Sequence, residues 1–93
     1  MDAPLEFEWD ADKAALNFIS HGVSFPFATA VFLDPMRVDF DASRDENREE
    51  RRKTVGRIGR RLFVLVYAPR DGIIRVISAR RTNRKEERIY GDR

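Results

Sequence analysis

The sequence predicts an α+β fold: two N-terminal helices, a mostly antiparallel four-stranded sheet and one C-terminal helix. Three observations predict it. Leu62-Phe63-Val64-Leu65-Val66-Tyr67 is apolar throughout, the pattern of a central strand buried on both faces. Ahead of it lie two stretches with helix signals at both ends. One opens at Asp10 or Asp12 and stops at Gly22; the other opens at Ser24 and stops at Asp34-Pro35. After it, Pro69-Arg70-Asp71-Gly72 reads as a hairpin turn that returns the chain antiparallel. Helices on one face of such a sheet make an α+β domain, and 93 residues are one domain's worth of chain.

Each element follows from its own pattern. Leu5-Glu6-Phe7-Glu8-Trp9 alternates apolar and acidic residues, a short strand with Phe7 and Trp9 inward. The helix that follows runs to Ser20 or His21, with Ala15, Leu16, Phe18 and Ile19 as its apolar side. Phe25 to Leu33 is apolar nearly all round and reads as a short buried helix. Met36-Arg37-Val38-Asp39-Phe40-Asp41 alternates again as a strand, and Ala42 to Glu50 is a polar loop. A strand from Arg52 leads to a turn at Gly59, then come the central strand and its partner, Ile73 to Ala79. Asn83 caps a closing helix over Arg84 to Tyr90.

Composition narrows the function. There is no cysteine, so no disulfide framework, and no apolar run has the length of a membrane span. The acidic start, Met1-Asp2-Ala3-Pro4-Leu5-Glu6, lacks the apolar segment of a signal peptide, and the expectation is a cytoplasmic protein. The net charge of +2 conceals a division: residues 1–50 carry four Lys/Arg against twelve Asp/Glu, and residues 51–93 carry fourteen against four. An asymmetry of −8 against +10 points to a face for nucleic acid or for an acidic protein, set against the plainer reading of a solvated surface. A zinc site of the usual Cys/His kind is excluded, since His21 is the one histidine. No Walker A loop, Gly-x-Gly-x-x-Gly or Gly-x-Ser-x-Gly element is present. Asp39, Asp41, Asp45 and Glu46 lack EF-hand spacing and read as a solvated acidic loop; no metal and no cofactor is expected.

Arginine is the informative residue. Arg57, Arg60 and Arg61 precede the central strand, Arg75 lies within the next, Arg80 and Arg81 leave it, and Arg84, Lys85 and Arg88 continue on the closing helix. Antiparallel pairing sets the start of one strand beside the end of the next, which brings Arg60/Arg61 near Arg80/Arg81. Guanidinium forks so placed suit a phosphodiester and the extra charge of its pentacovalent transition state. The competing reading is ion pairing with Glu49, Glu50, Glu86 or Glu87. Tyr90 is either a packing residue or a hydroxyl and ring for a base. Lys13, Asn17 and His21 share one face at i, i+4, i+8; His21 is either an acid/base group or a helix C-terminal residue serving the last carbonyls.

These residues resemble a known family. Phe7-Glu8-Trp9-Asp10-x-x-Lys13-x-x-x-Asn17 and His21-Gly22-Val23-Ser24-Phe25 look like the opening of the BrnT toxins (DUF497). The likeness continues through Ala30-Val31-Phe32, Asp34-Pro35, Gly56, Gly59, Arg61-Leu62 and Ile74-Arg75-Val76-Ile77-Ser78-Ala79-Arg80-Arg81, and closes with Arg84, Glu87-Arg88 and Tyr90. It implies a RelE-like ribonuclease fold and the toxin role in a type II toxin–antitoxin pair that inhibits translation by metal-independent RNA cleavage. The implied partner is a BrnA-like ribbon-helix-helix antitoxin, with operator DNA bound only through that antitoxin and a toxin–antitoxin heterotetramer as the assembly. The resemblance implies that Arg61 and Arg80 or Arg81 grip the phosphate, that Tyr90 orients the substrate, and that His21 matches a functional histidine. Lys13, Arg57, Arg60, Arg75, Arg84, Lys85 and Arg88 are then the candidate RNA contacts. The family usually has Lys before that histidine, and this chain has Ser20. The alternative function is a non-catalytic basic module that docks an acidic protein or nucleic acid; a DNA-binding regulator ranks last, since the most basic elements are strands.

Overall fold

The computed structural model describes residues 5–46 and 49–91. The first four residues of the acidic start, and residues 47–48 of the expected loop, lie outside the described residues. In chain order the elements are β1 (Glu6–Glu8), α1 (Ala11–His21), α2 (Phe25–Ala28) with a 3-10 turn over Thr29–Leu33, β2 (Val38–Asp41), β3 (Arg52–Ile58), β4 (Arg61–Arg70), β5 (Ile73–Arg81) and α3 (Arg84–Gly91).

The architecture is α+β, with two corrections to the expected sheet. It has five strands in the order β1-β5-β4-β3-β2, and it is mixed: β1 pairs parallel with β5, Glu6 opposite Ile73 and Glu8 opposite Arg75. The helices also take both faces. Side chains alternate along β3, and the two faces meet different elements. Gly56 lies against Val31 of the 3-10 turn, whereas Arg57 meets Tyr90 of α3. The α1/α2 face holds the main core of Phe25, Ala28, Val31, Phe63, Leu65, Tyr67, Val76 and Ala79, with Phe7 and Trp9 packed inward as the alternation predicts. Its rings meet at tilted or edge geometry: Phe7 on Phe32 at 5.5 Å, Trp9 on Phe25 at 5.9 Å and Phe32 on Tyr67 at 5.4 Å between centroids. On the other face, fully buried Val55 and Val64 are cross-strand partners.

Local signals explain most boundaries. The Asp10 carboxylate accepts from the Asp12 and Lys13 N–H groups at 2.8 and 3.2 Å, and Gly22 ends α1 at φ 69°. Asn83 and Glu86 form a reciprocal capping box on α3, both bonds 2.9 Å. The β4–β5 turn is tighter than expected. Pro69 and Arg70 still pair with Ile74 and Ile73, and Asp71-Gly72 alone turn the chain, at φ 50° and 82°.

The expected apolar side of α1 is not buried. Leu16, Phe18 and Ile19 are largely exposed and Ala15 is exposed; the buried residue of the helix is Asn17. Its amide donates to the Val23 and Ala79 carbonyls at 3.0 and 2.8 Å and accepts the Ala79 N–H at 3.1 Å. A polar side chain thus docks α1 on β5 by bonding to the edge of β5 beyond Ile73–Arg75, the stretch that β1 pairs. The stretch from Phe25 to Leu33 is likewise split. Phe25, Ala28 and Val31 are buried, while Phe27 and Leu33 face solvent.

Candidate phosphate-binding cleft

The β3–β4 turn and the end of β5 build one basic cleft. Ile58 pairs with Arg61, leaving Gly59 and Arg60 as a two-residue turn in which Gly59 takes φ 63°. Arg57, Arg60, Arg61 and Arg81 line a hollow of about 250 Å³ together with Thr82 and Glu87. Among the described residues none of these four guanidinium groups is in an ion pair.

Arg81, not Arg80, belongs to this cleft. The β4–β5 ladder carries a register shift: Val66 pairs with Ser78 and Tyr67 with Val76, which leaves Ile77 as an extra residue. Such a bulge reverses the face of everything beyond it. Val76 and Ala79 both point into the core, and Arg81, opposite Phe63, follows Ala79 on that face. Arg80 is turned to the α3 face. Its guanidinium holds the Glu86 carboxylate through two bonds of 2.9 Å. Burial alone would raise the Glu86 pKa, but the Arg80 fork and the Asn83 N–H outweigh it and hold the group below its ordinary range.

A second feature fixes Arg57. The Asp34 carboxylate accepts the Arg57 backbone N–H at 2.8 Å, the Tyr90 hydroxyl at 2.7 Å and the Met36 N–H at 2.8 Å. Burial opposes its ionisation, yet these donors together with the Arg57 charge lower its pKa. The Arg57 guanidinium sits 5.7 Å from the centre of the Tyr90 ring. Arg57 is also the wall between the basic cleft and an adjoining hollow of about 300 Å³ lined by Ala30, Leu33, Asp34, Ile58 and Gly59.

The remaining candidates lie elsewhere. Arg75 pairs with Glu8 at 3.7 Å on the far half of β5. Lys13 is exposed on the first turn of α1, and Arg84 and Arg88 are exposed on α3. Lys85 lines a different hollow, with Phe40, Lys53 and Ile89. His21 is exposed at the last position of α1 and is not among the residues lining the cleft; with Asn17 buried between them, Lys13 and His21 do not form one exposed face. Tyr90 reaches the cleft through Arg57, with its hydroxyl on Asp34. Of the acidic residues expected in a solvated loop, Asp41, Asp45 and Glu46 are exposed, and Asp39 departs from the expectation. Asp39 is partly buried and bonded to Arg52, Arg37 and the Tyr67 hydroxyl, which burial and then the Asp39 bond push up to about 12. Sequence reading passed over Asp34 as a helix stop and Glu87 as an ion-pair partner. The position of Asp34 arises from contacts across 23 residues or more, with Arg57 and Tyr90, which local pattern does not carry.

A family model described as "Ribonuclease toxin, BrnT, of type II toxin-antitoxin system" matches residues 9–86. The chain belongs to the BrnT family. No curated protein matches it. The BrnT match contains Arg57, Arg60, Arg61 and Arg81 and ends one residue before Glu87, so the four arginines of the cleft lie within the match and Glu87 of α3 lies just beyond it.

Proposed function

We propose that the chain is a metal-independent endoribonuclease of RelE-like type, acting at the cleft of Arg57, Arg60, Arg61 and Arg81. The observation that carries this reading is the convergence of four guanidinium groups without ion-pair partners among the described residues. Without an ion pair their charge is available to an external anion, and planar forks match phosphate oxygens bidentately. In the reaction the ribose 2′-oxygen attacks the adjacent phosphorus and the bond to the 5′-oxygen breaks. The products are a 2′,3′-cyclic phosphate and a 5′-hydroxyl. Arg61 and Arg81 stabilise the added charge on the phosphorane oxygens. Glu87, a carboxylate lining the cleft, accepts the 2′-hydroxyl proton, and a guanidinium N–H at the leaving side supports the departing oxygen until it takes a proton from water. Tyr90 acts by holding Arg57.

The sequence resemblance supports the wider setting: inhibition of translation, neutralisation by a BrnA-like ribbon-helix-helix antitoxin in a heterotetramer, and operator binding through that antitoxin alone. The test is cleavage of a defined single-stranded RNA in EDTA, with Arg61→Ala/Arg81→Ala alongside. Cleavage by the wild type and not by the variant supports the assignment. A folded wild type that leaves RNA intact, with and without ribosomes, returns the chain to a non-catalytic basic module.

A further inference from the structure

We infer that Phe27 is a stacking platform for the nucleobase beside the phosphate gripped in the cleft, an inference that rests on the ribonuclease reading. Phe27 is one of the large apolar side chains left in solvent, 47% exposed, although it belongs to a four-residue helix whose neighbours Phe25 and Ala28 are fully buried. Its ring is held rather than free. It packs against Phe63 in a T-shaped pair, 5.3 Å between centroids at 80°. That contact fixes where the exposed face of Phe27 lies. Phe63 is directly opposite Arg81 in the β4–β5 ladder and two residues from Arg61, so all three side chains share one face of the sheet. An open aromatic ring is therefore anchored next to the two guanidinium groups assigned to the phosphate. The 3-10 turn that follows α2 contributes Ala30 and Leu33 to the adjoining hollow, and Leu33 is 83% exposed.

Single-stranded RNA is the occupant this arrangement fits. Its phosphates need guanidinium groups, and its unstacked bases need a flat apolar surface at one nucleotide's distance. Stacking on Phe27 would hold the ribose and its 2′-hydroxyl in register with the phosphorus. It would do so without reading the base's hydrogen-bonding edge, so the preference it gives is for an unpaired base, purines above pyrimidines.

The test measures affinity for a short single-stranded RNA carrying a 2′-deoxy sugar at the scissile position, which binds but cannot be cleaved. Phe27→Leu keeps apolar packing on Phe63, and Phe27→Tyr keeps the aromatic face. Phe27→Leu is expected to weaken binding about 10-fold or more, the effect of losing one base–aromatic stack, with the slope against salt unchanged; Phe27→Tyr should bind as the wild type does. Placing one abasic nucleotide beside the scissile position should cost the wild type the same factor and cost Phe27→Leu little more. Equal losses for both proteins, or no loss in Phe27→Leu, would overturn the stacking role while leaving the ribonuclease reading intact if wild-type cleavage persists. Folded wild type that binds no RNA would overturn both. Unchanged RNA affinity with weakened binding of an antitoxin would make Phe27 part of a protein interface, and would also overturn the proposal.

Discussion

Arg80 and Arg81 are adjacent in β5 and meet opposite environments. Arg80 faces α3, where a buried carboxylate takes both arms of its guanidinium at 2.9 Å. Arg81 faces the α1/α2 side at the open end of the sheet, beside Arg61, with no ion pair among the described residues. The same division runs through the chain. Arg52 is held by Asp39 and Glu50, Arg70 by Glu49 and Arg75 by Glu8, whereas Arg57, Arg60 and Arg61 gather at the β3–β4 turn with no ion pair among the described residues. The first group is held within the fold, and the second is the group proposed to take an external anion. The two groups should therefore respond oppositely to substitution.

The largest effect is expected in the second group. Arg61→Ala/Arg81→Ala should lower the RNA cleavage rate about 10⁴-fold, since each lost donor to a developing phosphorane charge costs about 10²-fold or more. Removing two phosphate contacts should also flatten the salt dependence of RNA binding, by about 0.7 per contact in logarithmic slope. Urea unfolding should be unchanged within about 0.5 kcal/mol, because both residues are exposed. A large stability loss would mean that these arginines belong to the first group.

Arg80→Ala should do the reverse. It strands Glu86, which is 4% exposed, and leaves only the Asn83 cap to hold the carboxylate. The expected cost is about 3 kcal/mol, the lower end for breaking a buried pair by removing one partner. Cleavage per folded molecule should stay near wild type. If activity is lost while urea stability is kept, Arg80 is a substrate contact and the division by face is wrong.

The bulge that separates these two arginines shows where sequence reading ends. The continuous run from Leu62 to Tyr67 identified the central strand, and the turn residues fixed its antiparallel neighbours. Adjacent strand ends then brought Arg60/Arg61 close to Arg81, as pairing alone requires. Which of Arg80 and Arg81 faced the cleft depended on one extra residue, Ile77, and nothing in the local pattern marks it. The parallel pairing of β1 was hidden for a related reason, since residues 6–8 meet residues 73–75 only after the whole sheet has formed. In α1 the apolar residues misled: Asn17 is the docking side chain, because open backbone at Ala79 and Val23 needs an amide more than the sheet needs another leucine.

Gly56 tests how closely the apolar layer supports the cleft strand. A Cβ there would stand 2.9 Å from the Val31 carbonyl oxygen and 3.0 Å from its Cβ. Gly56→Ala is expected to cost about 2 kcal/mol through overpacking. It should also reduce cleavage, since pushing the 3-10 turn away from β3 disturbs the strand that carries Arg57. A fully stable variant would show that the turn yields freely and does not position the site.

Arg57 lies between the two groups, and acid should reveal its anchor. Its guanidinium is in no ion pair among the described residues, but its backbone N–H and the Tyr90 beside it are both bound to Asp34. Asp34 is a carboxylate whose folded pKa is lowered, despite burial, by those donors. A lowered carboxylate pKa means that the unfolded chain takes up its proton first as pH falls. The stabilisation is thus present above an unfolded pKa of about 4 and is lost as pH drops through the lower folded value. Glu86, lowered through Arg80, adds loss of the same sign. Tyr90→Phe keeps the ring beside Arg57 and deletes one donor to Asp34, at about 1 kcal/mol near neutrality. Urea unfolding at pH 7, 5 and 3 should show the variant converging on the wild type as Asp34 protonates in both. A constant gap at all three pH values would place the hydroxyl's contribution outside Asp34.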